Sequence, residues 1–171
     1  GAVGLPMVED RADQRSMVTR VEVPLAPEAF GEGDYRLTLI RLDSNDPIAF
    51  SVEPDDTRSR LRITFPSFPG GSLPDGEYVL TVRAGDERRS FRFHRLFGDI
   101  DGDRDRDTLD AIRFSAAMAG RAGLLEAAAF DSDRDGDVDG LDLFRFRSGP
   151  TMPEVQSALS RVIGEAGDPP R

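Results

Sequence analysis

Asp131-Ser132-Asp133-Arg134-Asp135-Gly136-Asp137-Val138-Asp139-Gly140-Leu141-Asp142 places a carboxylate at positions 1, 3, 5, 7, 9 and 12 of a twelve-residue run. Those are the positions from which an EF-type loop supplies oxygens to calcium, a hard cation that takes six to eight of them. Gly136 stands at position 6, where the backbone turns sharply and a left-handed conformation suits glycine. Val138 stands at position 8, where an apolar side chain anchors such a loop to a core. Asp142 replaces the usual Glu at position 12. Direct carboxylate contacts are expected from Asp131, Asp133, Asp135 and Asp142, a main-chain contact from Asp137, and a water-mediated one from Asp139.

The same ladder occurs upstream at Asp99, Asp101, Asp103, Asp105, Asp107 and Asp110. Here Arg104 takes position 6 and Arg106 takes position 8. A left-handed residue other than glycine costs about 1–2 kcal/mol, and two cations beside the loop oppose a third. The first loop is therefore expected to bind calcium more weakly or to form a distorted turn. An offset of 32 residues also pairs Leu109 with Leu141, Arg113 with Arg145 and Phe114 with Phe146, so the repeated unit is a loop with its following helix. Two calcium ions are expected, the one at Asp131 to Asp142 being held more tightly.

The rest of the chain is ordinary in composition, with 38% hydrophobic and 32% charged residues in 171. Twelve of its 32 acids fall in the two loops, and the net charge of -10 argues against nucleic acid as a partner. The absence of cysteine excludes disulfides, zinc-thiolate sites and a thiol nucleophile. No apolar run reaches the length of a membrane span, so direct insertion is not expected. No secretory signal is visible at Gly1; if the protein is exported, the signal is expected upstream, with Gly1 at a processing boundary.

Alternation of period two begins at Met17 and runs through Thr19, Val21, Val23 and Leu25. It recurs at Tyr35, Leu37 and Leu39; at Ile48, Phe50 and Val52; at Leu61, Ile63 and Phe65; at Tyr78, Leu80 and Val82; and at Phe91 and Phe93. Turn signals such as Asn45-Asp46-Pro47 and Asp75-Gly76 separate the runs. Six or seven short strands at this spacing predict an immunoglobulin-like β-sandwich. After Phe97 the spacing becomes helical, with a stripe of Leu109, Ile112, Ala116 and Ala119 flanked by Phe114 and Met118. A helix is predicted over the Ala-rich stretch Leu124 to Phe130 and another from Pro153 to Ile163. The expected fold is multi-domain β plus α: a linker or arm at 1–16, a sandwich at 17–95, a small all-α calcium domain at 96–150, and a C-terminal helix and tail at 151–171.

The stretch from Phe97-Gly98-Asp99 to Phe144-Arg145-Phe146 resembles the type I-like dockerin family, whose members carry two calcium loop-helix repeats and sit in secreted proteins. Loop 1 follows a strand, Phe91-Arg92-Phe93, instead of an entering helix, which is also dockerin-like. The resemblance implies an all-α dockerin-like domain and a cohesin-like protein partner. It places recognition at Thr108, Leu109, Gly140 and Leu141 and on the helices that follow. The order of Gln14-Arg15-Ser16-Met17-Val18-Thr19 and, later, His94-Arg95-Leu96-Phe97-Gly98-Asp99 is similar to the C-terminal regions of large secreted proteins of planctomycete-type bacteria. That similarity implies export as part of a larger extracellular or surface protein.

Catalysis finds little support. His94 is the one histidine, assigned a structural or exposed role on a strand, and no nucleophile elbow accompanies it. The basic run Arg88, Arg89, Arg92 and Arg95 reads as a solvated strand face. The expected function is a calcium-ordered attachment or assembly module and not an enzyme. The alternatives are a calcium-stabilised spacer or the accessory end of a secreted polysaccharide-degrading enzyme.

Overall fold

The computed structural model describes residues 7–8, 15–25 and 35–149. Their elements run β1 (Met7–Val8), β2 (Arg20–Pro24), β3 (Tyr35–Arg41), β4 (Asp46–Pro47), β5 (Ser51–Pro54), β6 (Arg60–Thr64), β7 (Gly76–Ala84), β8 (Glu87–Arg95), α1 (Thr108–Met118), α2 (Leu124–Phe130) and α3 (Gly140–Ser148). The helix expected at Pro153–Ile163 and most of the expected arm lie outside the described residues.

Two four-stranded antiparallel sheets, β1-β2-β6-β5 and β4-β3-β7-β8, share one core. The alternation in the sequence supplies it: Val21 and Val23 of β2, Leu61 and Ile63 of β6, Leu39 of β3, and Tyr78, Leu80 and Val82 of β7 all turn inward. The strand order is that of the A-B-E-D and C′-C-F-G sheets of immunoglobulin-type sandwiches. At the entry to β7 the Tyr78 hydroxyl donates to the Pro74 carbonyl at 2.6 Å, which pins this corner while the ring stacks on Phe93. Ile48 and Phe50 fall outside strands, although they alternate. The chain crosses from one sheet to the other between β4 and β5, and these two side chains pack against the core from the crossing.

Asp55 ties the β5-β6 hairpin. Its carboxylate accepts from the Thr57 hydroxyl at 2.7 Å, from the Ser59 amide at 2.7 Å and from the Arg60 amide at 3.1 Å. These bonds, the Thr57 hydroxyl foremost, hold its pKa down at about 2. A depressed carboxyl stabilises the fold above its unfolded pKa and loses that contribution as pH falls toward the folded value. Asp55→Ala is therefore expected to lower the melting temperature at pH 7, and the gap from the parent should close between about pH 4 and pH 2. Melts across that range check this.

The expectation of a small all-α domain after the sandwich is corrected. The described residues form a chiefly β protein with three helices added, and the helices do not enclose a core of their own. Phe114, Ala117, Ala129 and Phe130 are completed by Phe97, Ile100 and Met17, the last from ahead of β2. Ser16, fully buried, donates from its hydroxyl to the Ala129 carbonyl at 2.6 Å and accepts from the Gly98 amide at 2.8 Å. Arg15 bonds the backbone of Leu96 and Asp99. Immediately after, Val18 bonds Ser72 and Leu73 of the sandwich side. The strand starts at Arg20, not at Met17, because residues 15–18 serve as this junction.

The helical stripe is also corrected. In α1 the inward residues are Asp110, Phe114 and Ala117, whereas Leu109, Ile112 and Met118 are exposed. In α3, Asp142 is buried and Phe146 packs on the second core, whereas Leu141 and Phe144 face outward.

Candidate metal centre

Each Asp-rich loop ends by capping the helix that follows it. Asp107 and Asp139 are the N-caps of α1 and α3, and their carboxylates accept from the Leu109 and Leu141 amides at 2.6 and 2.7 Å. The return bond of each capping box comes from position 12: the amides of Asp107 and Asp139 donate to Asp110 and Asp142, both at 3.0 Å. The other oxygen of each position-12 carboxylate accepts from position 2, Ile100 at 2.9 Å and Ser132 at 2.7 Å. Position 12 therefore closes the loop and fixes the rotation of the helix behind it.

Position 1 organises the turn. Asp99 accepts from the Gly102 and Arg104 amides at 2.5 and 3.1 Å, and Asp131 accepts from the Arg134 and Gly136 amides at 2.6 and 3.1 Å. Positions 4 and 6 are left-handed in both loops: Gly102 and Arg104 have φ of 79° and 81°, Arg134 and Gly136 have 62° and 103°. Each loop thus places one glycine and one arginine in the two strained positions, in opposite order. Loop 1 has the same turn as loop 2.

Four groups of three carboxylates converge, each with oxygens within 4.8 Å of one another: Asp99, Asp101 and Asp110; Asp105, Asp107 and Asp110; Asp131, Asp133 and Asp142; and Asp137, Asp139 and Asp142. Asp103 and Asp135 belong to none of these groups; each instead accepts from the amide two residues on, at 3.1 Å. Asp99, Asp110 and Asp142 are buried. One oxygen of Asp133 is shielded from solvent and has no hydrogen-bond partner among the described residues. An all-oxygen set of this kind suits a hard divalent cation.

The carboxylates crowd one another. Burial pushes Asp110 up to about 6. Burial also raises Asp133, with the charges of Asp135 and Asp142 adding to it, and raises Asp105 beside Asp103 and Asp107. The charge of Asp135 is the main cause for Asp137. A divalent cation would reverse the sign of each of these environments.

Arg104 and Arg106 do not face the loop. Arg104 Nη1 lies 3.2 Å from Glu77 Oε1 of β7. Arg106 donates to the Phe146 carbonyl at 2.6 Å and to the Gly149 carbonyl, satisfying the C-terminal end of α3. Arg134 reaches the sandwich as well, its Cδ close over Gly70.

Three side chains from outside the carboxylate ladder support the loops: His94, Ser132 and Arg145. Of the structural or exposed role expected for His94, the structural one is found: it is buried, and its Nε2 donates to Asp99 at 2.7 Å, which uses a lone pair that the equivalent Asp131 keeps. Ser132 donates from its hydroxyl to Asp142 at 2.6 Å and accepts from Arg145 at 2.7 Å. The capping role of Asp107 and Asp139 was legible as Asp-x-x-Asp before a helix, whereas His94 had no local signal.

No family model matches the chain, and no curated protein matches it. No helix among the described residues is long and apolar enough to cross a membrane.

Proposed function

We propose that the two loops each bind a calcium ion and that the ions hold the helical layer in place, in a module that attaches a larger extracellular protein to a protein partner. The observation that carries this reading is the grouping of the carboxylates at positions 1, 3 and 12 of each loop, Asp99, Asp101 and Asp110 in one and Asp131, Asp133 and Asp142 in the other, with oxygens within 4.8 Å of one another. The unpartnered oxygen of Asp133 adds to it. Calcium relieves the mutual repulsion and fixes position 12, which caps and orients α1 and α3. Metal binding and folding of this layer are then coupled.

The partner surface in this reading is the outer side of α1 and α3. Leu109 and Ile112 of one repeat and their counterparts Leu141 and Phe144 of the other are exposed, not core. A duplicated apolar pair on calcium-oriented helices suits a protein partner.

Melting curves in calcium and in excess chelator test the metal reading. Chelator is expected to lower the melting temperature of the parent by several degrees, as loss of a ligand bound far above its Kd requires. Asp131→Ala and Asp99→Ala are each expected to shrink that difference, Asp131→Ala the more. A parent protein whose melt ignores chelator contradicts the reading.

A further inference from the structure

The sheet β4-β3-β7-β8 turns one face to the shared core, and the other carries a pattern the sequence does not display. Arg36 of β3 pairs in register with Arg83 of β7, which pairs with Arg88 of β8, so three exposed arginines stand in one row across adjacent strands. The next row on the same face is Thr38, Thr81 and Ser90, all hydroxyls, with Thr81 and Ser90 hydrogen-bonded to each other at 2.9 Å. Beyond it Arg92 stands opposite Val79 and Ile40.

Like charges directly opposite one another destabilise a sheet. None of Arg36, Arg83, Arg88 and Arg92 forms an ion pair among the described residues. Their neighbours in the chain do: Arg89 pairs with Glu87 at 2.7 Å, and Arg95 pairs with Asp75. In a chain of net charge -10, the fold thus collects exposed arginines without ion-pair partners among the described residues on one face of this sheet.

We propose that this face binds a linear acidic polysaccharide, with Arg36, Arg83 and Arg88 holding its sulfate or carboxylate groups and Thr38, Thr81 and Ser90 meeting its hydroxyls. Adjacent strands lie about 4.8 Å apart, so the three arginines spring from regularly spaced backbone positions across the sheet. The planar fork of arginine suits sulfate and carboxylate oxygens. Charge next to a row of hydroxyls fits a ligand that is both anionic and polyhydroxylated. Nucleic acid fits less well, because among the described residues no exposed aromatic side chain stands on the face to stack a base, and the protein's overall field repels a long polyphosphate. The proposal is independent of the calcium loops.

Fluorescence anisotropy with a labelled heparin oligosaccharide, with calcium present, tests it. The full chain is expected to bind, with affinity falling as salt rises. The triple variant Arg36→Thr, Arg83→Thr, Arg88→Thr is expected to bind at least about tenfold more weakly while its melting temperature is not lowered. If that variant does not fold, Arg83→Thr alone, at the centre of the row, decides by a measurable loss. No binding by the parent overturns the proposal, as does equal binding by the folded variant. A DNA duplex of equal charge bound as tightly as heparin overturns it too. So does sedimentation in which the parent self-associates through this face, with the Asp-rich loops of a second copy as its occupant.

Discussion

Phe114→Ala is expected to destabilise the protein by about 3–5 kcal/mol, the usual cost of removing a buried aromatic ring. Phe114 is almost fully buried, with its ring 5.0 Å from that of Phe130 and 4.7 Å from that of Phe146. Phe114 and Phe146 occupy the same place in the two repeats, so their contact is where one loop-helix unit meets the other. The resulting cavity loosens both helices whose first turns hold Asp110 and Asp142. Weaker calcium binding should accompany the lost stability, because ordering the helices then costs more of the binding free energy. Denaturant unfolding in calcium measures the first effect and a calcium titration the second. A loss below about 1 kcal/mol would mean that the three rings do not form a packed core.

Gly98→Ala is expected to be the next most damaging single change. Gly98 has φ of 97°, and a Cβ there would lie 2.6 Å from two ring carbons of Phe146. Backbone strain of about 1–2 kcal/mol adds to an overpacking cost of about 1–3 kcal/mol, since the Phe146 ring already packs on Phe114 and has the guanidinium of Arg106 over it. Gly98 also bonds Ser16 and immediately precedes Asp99. The substitution should therefore lower the melting temperature and weaken the first loop more than the second. Thermal melts and a calcium titration of the variant check both parts.

The strands of the sandwich were legible because alternation and burial coincide: in β7 the buried residues are Gly76, Tyr78, Leu80, Val82 and Ala84. The helix at Leu124 to Phe130 was legible from its alanines, and the repeat from paired residues such as Phe114 and Phe146. Helix orientation was not. Leu109, Ile112, Ala116 and Ala119 make a plausible stripe, but Asp110 must turn back to Ile100 and Asp107, and that requirement rotates Ile112 into solvent.

The separate all-α domain failed for a related reason. Met17 fits the alternation of the first strand, yet its side chain completes the second core, which the helices do not close alone. Arg104 and Arg106 read as cations opposing calcium because only their positions in the loop were visible; their partners, Glu77 and the end of α3, are distant in sequence. The expectation that loop 1 is weaker keeps a physical basis in His94, which occupies a lone pair of Asp99, and not in those arginines.

A calcium titration by calorimetry, beginning from chelator-stripped protein, tests the central claim most directly. Two ions per chain are expected, with the tighter site lost in Asp131→Ala and the weaker in Asp99→Ala. A stripped protein that takes up no calcium would contradict it.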